Sequence, residues 1–392
     1  MFAPVFQGLT PFDLLRPARA GASTFPFDAP QRWYFYRARN AIYHLFRTLT
    51  AKQKVTVLAP DYNSGNEVLA MHAAGATVRY CPVGRTLRLD PAEVERQCER
   101  HRPDVLYVIH YAGWPQPMTA LVDLCRRRRM LLVEDCALAL LSGAEGRPLG
   151  SFGDWSVFCL YKTLPLPNGA VLVQNIEHGD VAAAMDRLEL RSAGVASAAG
   201  RTAELLLQRL RSRADRIGAG LQRVKGAMGR AASALHVDRE KIGDMGFDVN
   251  DVDLAMSPIS ERLLARMDFD AIKARRRANA SRLALRLAGH ATPVFRDLPD
   301  GVCPLFFPVL VPDKHRAAMA LRARGVDALE FWNDRFEIDG CEVSTAERFL
   351  RDHVLELPVH QDLTARHIDH VARQVAALDL RIHDAADNVY AA

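Results

Sequence analysis

Between residues 39 and 161, short apolar runs alternate with amphipathic patterns of about ten residues. The apolar runs predict strands over residues 55–59, 77–81, 105–110, 130–134 and 156–161. The amphipathic patterns predict helices over residues 39–49, 66–74, 91–101 and 118–128. Helices between consecutive strands act as crossover connections, which lay the strands parallel in one sheet. The sequence therefore predicts an α/β fold with a mostly parallel, buried sheet.

The remainder of the chain has two different patterns. Residues 178–240 are rich in Ala, Arg and Leu and predict one or two amphipathic helices. Their apolar stripe suits a core or subunit contact better than membrane attachment, and it consists of Leu206, Leu210, Ile217, Leu221, Val224 and Met228. After a long helix predicted over 260–287, strands over 303–311 and 354–358 and helices over 313–324 and 364–378 indicate a smaller α+β unit. The outer face of the long helix is predicted to be basic, with Arg275, Arg276 and Arg277.

Composition excludes several classes of protein. The chain is 49% hydrophobic and 25% charged over 392 residues, as in an ordinary globular protein and unlike a disordered one. It contains no apolar run long enough to span a membrane, and its first residues do not resemble a secretory signal. The seven cysteines are odd in number and form no CxxC pair. We therefore expect reduced thiols in a cytoplasmic protein without a structural zinc site.

Positive charge is concentrated in one segment. The net charge is +5, and residues 187–230 contain ten Lys or Arg against three Asp or Glu. A nucleic-acid-binding segment of this kind would be interleaved with aromatic residues, and this one has none. We interpret it as a solvated helix face, with an anionic ligand or a membrane surface as the alternative.

Two charged residues occur in apolar surroundings. Asp135 ends an apolar strand, at the edge of a parallel sheet where ligands bind. Lys162 lies between VFCLY and TLPLP, and an apolar neighbourhood lowers the pKa of a lysine and favours the nucleophilic neutral amine. Such a lysine suits Schiff-base chemistry, and a nearby carboxylate suits a protonated pyridine nitrogen. Each also has a structural interpretation, Lys162 as a surface residue at a strand end and Asp135 as a helix cap.

The segments VEDCALAL and GRPLGSFGDWSVF, with the lysine segment that follows, resemble the DegT/DnrJ/EryC1/StrS aminotransferases. The resemblance is specific in the middle third and looser towards both ends. It implies pyridoxal 5'-phosphate as cofactor and the type I fold of PLP-dependent transferases, which is that of aspartate aminotransferase. Residues 1–255 would then form an N-terminal arm and the large cofactor-binding domain, including the helical segment 178–240. Residues 256–392 would form the connecting helix and a small C-terminal domain.

The resemblance also implies roles for individual residues. Lys162 matches the lysine that bonds to the cofactor and shuttles the α-proton, and Asp135 matches the carboxylate that pairs with the ring nitrogen. Arg39 and Asn40 fall where the family grips the phosphate, and a helix N-terminus is a suitable anion site. Plain N-capping is the alternative for Asn40. The next wall of the cofactor site is expected to contain Ser64 and Gly65.

Several positions depart from the family pattern. Cys159 stands where many members have a phosphate-binding serine, and Leu138 stands where Gln or His contacts the ring. Ser64 falls where an aromatic side chain often stacks on the ring, so Tyr62 or Tyr111 would have to replace it. These departures leave the cofactor chemistry in place and leave the substrate class open.

His110 lies near the HxYG pattern of the family, and we interpret it as a satisfied core histidine.

The resemblance implies an aminotransferase that moves an amino group from an amino acid, glutamate by analogy, to a carbonyl compound. The implied acceptor is a keto-sugar nucleotide, which would place the enzyme in nucleotide-sugar biosynthesis, and the implied assembly is a homodimer. A dehydratase of the same family is an alternative, although the best-known sugar dehydratases there carry a histidine where this chain has Lys162. A second alternative is a binding or assembly protein, which Leu138 would permit. We expect no nucleic acid, membrane span or metal site.

Overall fold

A seven-stranded sheet organises the first half of the protein, as seen in a computed structural model that describes residues 1–18, 24–213, 246–338, 340–341 and 343–382. Its strands are β1 (Arg32–Phe35), β2 (Thr56–Pro60), β3 (Thr77–Cys81), β4 (Val105–Ile109), β5 (Leu131–Asp135), β6 (Trp155–Cys159) and β7 (Ala170–Gln174). Their order across the sheet is β1-β7-β6-β5-β4-β2-β3.

Most neighbours in this sheet are parallel. Strands β2 to β6 pair in parallel, whereas β7 runs antiparallel to both β6 and β1. All five residues of β4, β6 and β7 are buried, which explains why these strands read as continuous apolar runs. The predicted mostly parallel, buried sheet is confirmed.

The first eight helices are α1 (Pro11–Leu15), α2 (Ala38–Thr50), α3 (Asn66–Ala73), α4 (Pro91–His101), α5 (Met118–Arg128), α6 (Leu160–Thr163), α7 (Gly179–Asp186) and α8 (Val195–Arg213). The predicted bounds of α4 and α5 match the structure. At α4 the reason is local, because Asp90 accepts a hydrogen bond from the Ala92 N–H at 3.0 Å and Pro91 occupies the first turn.

The strand predicted over 156–161 is wrong at its end. Strand β6 stops at Cys159, and residues 160–163 form the helical turn α6. The Leu160 N–H donates to the carbonyl oxygen of Gly169 at 2.9 Å, and the Leu164 N–H donates to Leu160 at 2.9 Å. Lys162 therefore lies on a helical turn. The alternative interpretation of Lys162, as a surface residue at the end of a strand, does not apply.

The long helix predicted over 260–287 is two helices, α9 (Pro258–Leu264) and α10 (Phe269–Leu287). Asp268 caps the second by accepting the Ala271 N–H at 3.0 Å. The predicted basic outer face is also wrong in part. Arg275 is exposed and Arg277 is half-buried, but Arg276 is fully buried.

A three-stranded antiparallel sheet forms the last third, with β8 (Thr292–Pro293), β9 (Phe306–Leu310) and β10 (Val354–Pro358). Its helices are α11 (Lys314–Ala323), α12 (Thr345–His353) and α13 (Ala365–Leu378). Apolar residues of α10, α11 and α13 share one core with β9 and β10. The predicted smaller α+β unit is present, while its boundary at residue 256 stays a prediction.

The predicted apolar stripe of the middle segment lies only partly within the described residues. Leu206 of α8 is half-buried and Leu210 is 44% exposed. The remaining members, Ile217, Leu221, Val224 and Met228, lie outside the described residues. Among the helices that the structure describes, none is long and apolar enough to cross a membrane.

Candidate active site

A pocket opens where β4, β5 and β6 end, between the N-terminal turns of α2 and α3 and the lysine turn α6. It has a volume of about 710 Å³, part of which is open to solvent. The register of the parallel strands aligns Ile109 with Asp135 and Asp135 with Val157, so their carboxyl ends meet at one edge. Phe331 and Trp332, from the segment between α11 and α12, close one side. This is the edge at which ligands bind in open α/β sheets.

The pocket brings together six of the eight predicted cofactor residues. They are Arg39, Ser64, Asp135, Leu138, Cys159 and Lys162. Residues that are 123 positions apart in sequence thus share one cavity, because the strand order places their elements side by side.

Asn40 and Gly65 are not among the residues that line the pocket. The Asn40 side chain is buried and donates to the carbonyl oxygens of Asp251 and Val252 at 2.6 and 3.1 Å. It is not a helix cap either, since Arg37 occupies the N-cap of α2. Gly65 is the N-cap of α3 and has a φ of +82°, a left-handed conformation that favours glycine.

Asp135 is held rigidly at the base of the pocket. Its Oδ2 accepts the Tyr107 hydroxyl at 2.7 Å, and its Oδ1 accepts the Ala137 N–H at 2.8 Å. Burial raises the pKa of this carboxyl, whereas the two hydrogen bonds and the positive charge of Lys162 oppose the shift. A further cation close to Asp135 would stabilise its charged form.

Lys162 is half-buried, and its Nζ lies 5.4 Å from the centre of the Phe331 ring, within the range of a cation–π contact. The apolar neighbourhood predicted from the flanking sequence is not what the structure shows. Arg37, Arg39 and Glu67 line the same cavity as Lys162. The pocket therefore combines cationic and anionic side chains around the lysine.

Sequence reasoning missed Glu67. This carboxylate is 5% exposed, and it accepts hydrogen bonds from the Ser64 N–H at 2.9 Å and from the Ser64 hydroxyl. Burial and the negative charge of Asp135 both raise its pKa. The available signal was Ser64-x-x-Glu67, which is the pattern of a helix capping box and so indicates only local structure. Proximity to Asp135 arises from the sheet order.

The aromatic wall also differs from the expectation. Tyr62 and Tyr111 were the predicted replacements for a stacking ring, but both are buried and neither lines the pocket. Their rings pack against Trp332, with centroids 5.0 and 5.6 Å from it. Trp332, which does line the pocket, has a φ of +55°, a conformation that is uncommon for a residue with a side chain.

His110 is buried in a hydrogen-bonded network, as expected from the sequence. Its Nε2 lies 3.0 Å from Oε2 of Glu134, and its Nδ1 accepts the Gln116 N–H at 3.2 Å. Glu134 also accepts three backbone N–H groups, from Gly150, Phe152 and Gly153. These contacts hold the loop that leads into β6.

The arrangement can bind an anion beside a carbonyl compound. Arg39 lies in the first turn of α2, and the N-terminus of a helix favours negative charge. Its Nη1 donates to Oδ1 of Asn66 at 3.1 Å, which ties α2 to α3. The amine of Lys162 can add to a carbonyl carbon, and Asp135 can pair with a cationic ring.

Comparison with known proteins connects this site to one family. Residues 38–214, which include the six predicted pocket residues, match the sequence pattern of the DegT/DnrJ/EryC1/StrS aminotransferase family. The chain is similar to the dTDP-4-dehydro-2,3,6-trideoxy-D-glucose 4-aminotransferase of Saccharopolyspora spinosa, with 34% identity over 122 residues, 27% of this chain and 31% of that protein. It is similar to the L-glutamine:scyllo-inosose aminotransferase of Streptomyces griseus, with 34% identity over 127 residues, 32% and 29% of the two chains. Each match thus spans about a third of the relative's length.

Solved structures show the same fold over nearly the whole chain. The aminotransferase of pseudoaminic acid biosynthesis from Helicobacter pylori superposes with a TM-score of 0.69 at 14% identity, covering 97% of this chain and 99% of that one. The predicted aspartate-aminotransferase-like fold is confirmed.

The hydrogen bond between Tyr107 and Asp135 gives a pH-dependent prediction. Replacing Tyr107 with Phe should lower the free energy of unfolding by about 2 kcal/mol at a pH where Asp135 is charged, and by less at a lower pH where it is protonated. The sign follows from the hydrogen bond, because the Tyr107 hydroxyl favours the charged form of Asp135 and lowers its pKa against the effect of burial. A protonated carboxyl depends less on this donor. Denaturant titrations at both pH values measure the difference.

Tyr111→Phe is the matched control, because the Tyr111 hydroxyl donates at 2.7 Å to the carbonyl oxygen of Tyr62, which does not titrate. The free energy of unfolding of this variant should decrease by a similar amount at both pH values. An equal pH dependence in the two variants would contradict the prediction that the Tyr107 hydroxyl stabilises the charged form of Asp135.

Proposed function

We propose that this chain is a member of the DegT/DnrJ/EryC1/StrS aminotransferase family and a pyridoxal-phosphate-dependent aminotransferase. The observation that carries the proposal is the convergence of Lys162, Asp135 and Arg39 in one pocket at the carboxyl edge of the sheet. The dehydratase alternative is less well supported, because a lysine lies where the best-known sugar dehydratases of the family have a histidine.

The residues present fit this cofactor. It needs an amine for its aldehyde, a carboxylate for its ring nitrogen and an anion site for its phosphate. Lys162 supplies the first and Asp135 the second, and Arg39 with the N-terminus of α2 supplies the third. When bound, pyridoxal phosphate supplies a ring that takes up the electron pair left when an amino donor loses its α-proton.

Asp135 maintains a proton on the ring nitrogen. Its carboxylate is buried and held by Tyr107 and Ala137, so it cannot rotate away from a cationic partner. Burial raises the pKa of Asp135, because a charged carboxylate is unfavourable away from water. Pairing with a protonated nitrogen opposes this effect by favouring the charged form. A fixed negative charge on a buried side chain stabilises the positive ring more than it would in water.

Lys162 holds the cofactor through Nζ and moves the α-proton. When not bonded to the cofactor, Nζ would be the base that accepts the α-proton of the amino donor and holds it for return. The side chain reaches the pocket from a turn in which Leu160 and Thr163 are buried, so these neighbours anchor the segment that carries the lysine.

The remaining proposed residues shape the walls. Leu138 and Cys159 are buried, and burial raises the pKa of the Cys159 thiol, which keeps it neutral and only a weak hydrogen-bond donor. Ser64 is half-buried and tied to Glu67. With Phe331 and Trp332 these side chains exclude water from the reacting atoms.

We propose a keto-sugar nucleotide or a similar anionic carbonyl compound as acceptor and glutamate as donor. Relatives named for a dTDP-linked dehydro sugar and for L-glutamine with scyllo-inosose support an acceptor larger than a keto acid. Arginines 275–277 do not contribute to this site, because Arg276 is buried and none of the three lines the pocket. Arg37 and Arg39 line the pocket and bring positive charge to it, which favours an anionic group there.

The homodimer stays a prediction. Much of the apolar stripe proposed as a contact, from Ile217 to Met228, lies outside the described residues.

Lys162 should carry the cofactor. We expect the purified protein with pyridoxal phosphate to be yellow and to lose its visible band on borohydride reduction, with the label found on Lys162 by peptide mapping. Lys162→Ala should lose the band and all turnover. Lys52→Ala is the control, since Lys52 is an exposed lysine paired with Asp180. Label on another lysine, or on none, would overturn the assignment.

Asp135→Asn should lower kcat much more than it weakens cofactor binding. The amide keeps the size of the side chain but cannot hold a proton on the ring nitrogen, and loss of a few kcal/mol reduces the rate roughly 100-fold or more. Steady-state kinetics and cofactor titration measure the two effects. Turnover close to that of the wild type would remove Asp135 from this role.

The acceptor class is tested in the amine-loaded form of the enzyme. Keto-sugar nucleotides should restore the visible band faster than small keto acids, because a remote anionic group supplies binding energy that orients the carbonyl. Restoration only by small keto acids contradicts the sugar acceptor and leaves the aminotransferase proposal intact. If no amino donor bleaches the band, the binding-protein alternative is favoured.

A further inference from the structure

Arg276 is a fully buried arginine on α10. Its Nη1 donates to the carbonyl oxygens of Pro304 and Leu305 at 3.1 and 3.0 Å. Its Nη2 donates to Oε1 of Gln7 at 3.1 Å and to the carbonyl oxygen of Thr163 at 3.0 Å. One guanidinium thus joins the N-terminal segment, the lysine turn and the segment that precedes β9.

These four acceptors carry no full charge. Burial lowers the pKa of Arg276 to about 10, so the group remains charged at neutral pH. Moving a charge out of water is expensive, and removing the partners of a buried charge is strongly destabilising. The carbonyl dipoles that face the guanidinium are therefore held in place by its charge as well as by hydrogen bonds.

The lysine turn needs such partners because it is short. Helix α6 has only four residues, so most of its carbonyl oxygens find no N–H donor within the helix. Gln7 Nε2 donates to the carbonyl oxygens of Tyr161 and Lys162, each at 3.3 Å. Gln361 Nε2 donates to that of Thr163 at 3.2 Å. Side chains from distant parts of the chain thus hold three consecutive carbonyl groups.

We propose that Arg276, together with Gln7, is a positioning residue that sets the direction in which Lys162 enters the pocket. The inference rests on the proposed role of Lys162 as the cofactor lysine. Rotation of the peptide groups on either side of Lys162 would turn its Cα–Cβ bond and move Nζ. A misplacement of about 1 Å in such a group can lower a rate roughly 100-fold.

Lysine cannot replace arginine in this role. The planar guanidinium of Arg276 places Nη1 and Nη2 on two different sets of acceptors, whereas an ammonium is a single donor centre. Arg276→Lys keeps the charge, but a single ammonium cannot donate to both sets of acceptors at once. Arg276→Met keeps much of the apolar volume and removes the charge.

Arg277→Met is the matched control. Arg277 is the next residue of α10, and its Nη1 also donates to carbonyl oxygens, those of Pro299 and Val302 at 2.6 and 2.8 Å. Neither carbonyl belongs to the lysine turn. The control therefore removes an arginine and two carbonyl contacts from the same helix without touching the segment under test.

The experiment measures the Lys162 amine in the full-length, cofactor-free protein. Competitive acetylation with trace acetic anhydride gives the labelling rate of Lys162 relative to that of exposed Lys52, and hydrogen exchange reports on the peptide that contains α6. We expect Arg276→Lys and Arg276→Met to change relative labelling about threefold or more and to speed exchange in α6. Arg277→Met should match the wild type in both. Equal labelling and exchange in the variants at positions 276 and 277 would overturn the proposal.

Gln7→Ala keeps the test decisive if Arg276→Met does not fold. It removes the donors to Tyr161 and Lys162 and one acceptor of Arg276, so it should change labelling in the same direction by a smaller factor. Wild-type labelling and exchange in Gln7→Ala would also overturn the proposal. In the loaded enzyme, the variants at Arg276 should lower kcat about 10-fold or more while the acceptor KM stays near that of the wild type.

Failure of this proposal is distinguishable from failure of the proposed function. If borohydride fixes no cofactor on Lys162 of the wild type, the function fails, whereas labelling of the cofactor-free protein still decides the role of Arg276. If the cofactor is fixed on Lys162 and Arg276→Lys behaves like Arg277→Met, only the positioning role is overturned.

Discussion

The register of three parallel strands is the constraint on which the site depends. Hydrogen bonding aligns Ile109 of β4 with Asp135 of β5, and Asp135 with Val157 of β6, so all three strands end at one edge. Helix α2 approaches the same edge and brings Arg39. A shift of one residue in this register would turn Asp135 to the opposite face of the sheet, because side chains alternate along a strand. The pocket is therefore a consequence of sheet pairing.

Within the pocket, burial and charge oppose each other. Asp135 and Glu67 are both nearly inaccessible, and burial raises the pKa of each carboxyl. Lys162, Arg37 and Arg39 bring positive charge to the same cavity. A ligand with a cationic ring at one end and an anionic group at the other would satisfy both sets of side chains. This match of charges is the physical basis of the proposed cofactor, independent of family resemblance.

Much of the fold was predictable because its signals are local. Pro91 and Asp90 mark the beginning of α4, and continuous apolar runs mark β4 and β10, which were predicted to within one residue. The errors occur where a contact between distant segments overrides the local pattern. Strand β6 ends at Cys159 because residues 160–163 form a helical turn, in which the Leu164 N–H donates to the carbonyl oxygen of Leu160. Arg276 was expected on a solvated basic face because a run of three arginines, at 275–277, gives no information about which of them is buried.

The sequence by itself determined the alternation of strands and helices, and it identified Asp135 and Lys162 as candidate site residues. These features depend on side-chain period and on neighbours a few positions away. Only the tertiary structure decided that Glu67 and Trp332 line the pocket, that Asn40 does not, and that Arg276 holds the lysine turn. Each of those contacts joins residues more than 60 positions apart, and their partners are set by sheet order and helix packing, which no local pattern records.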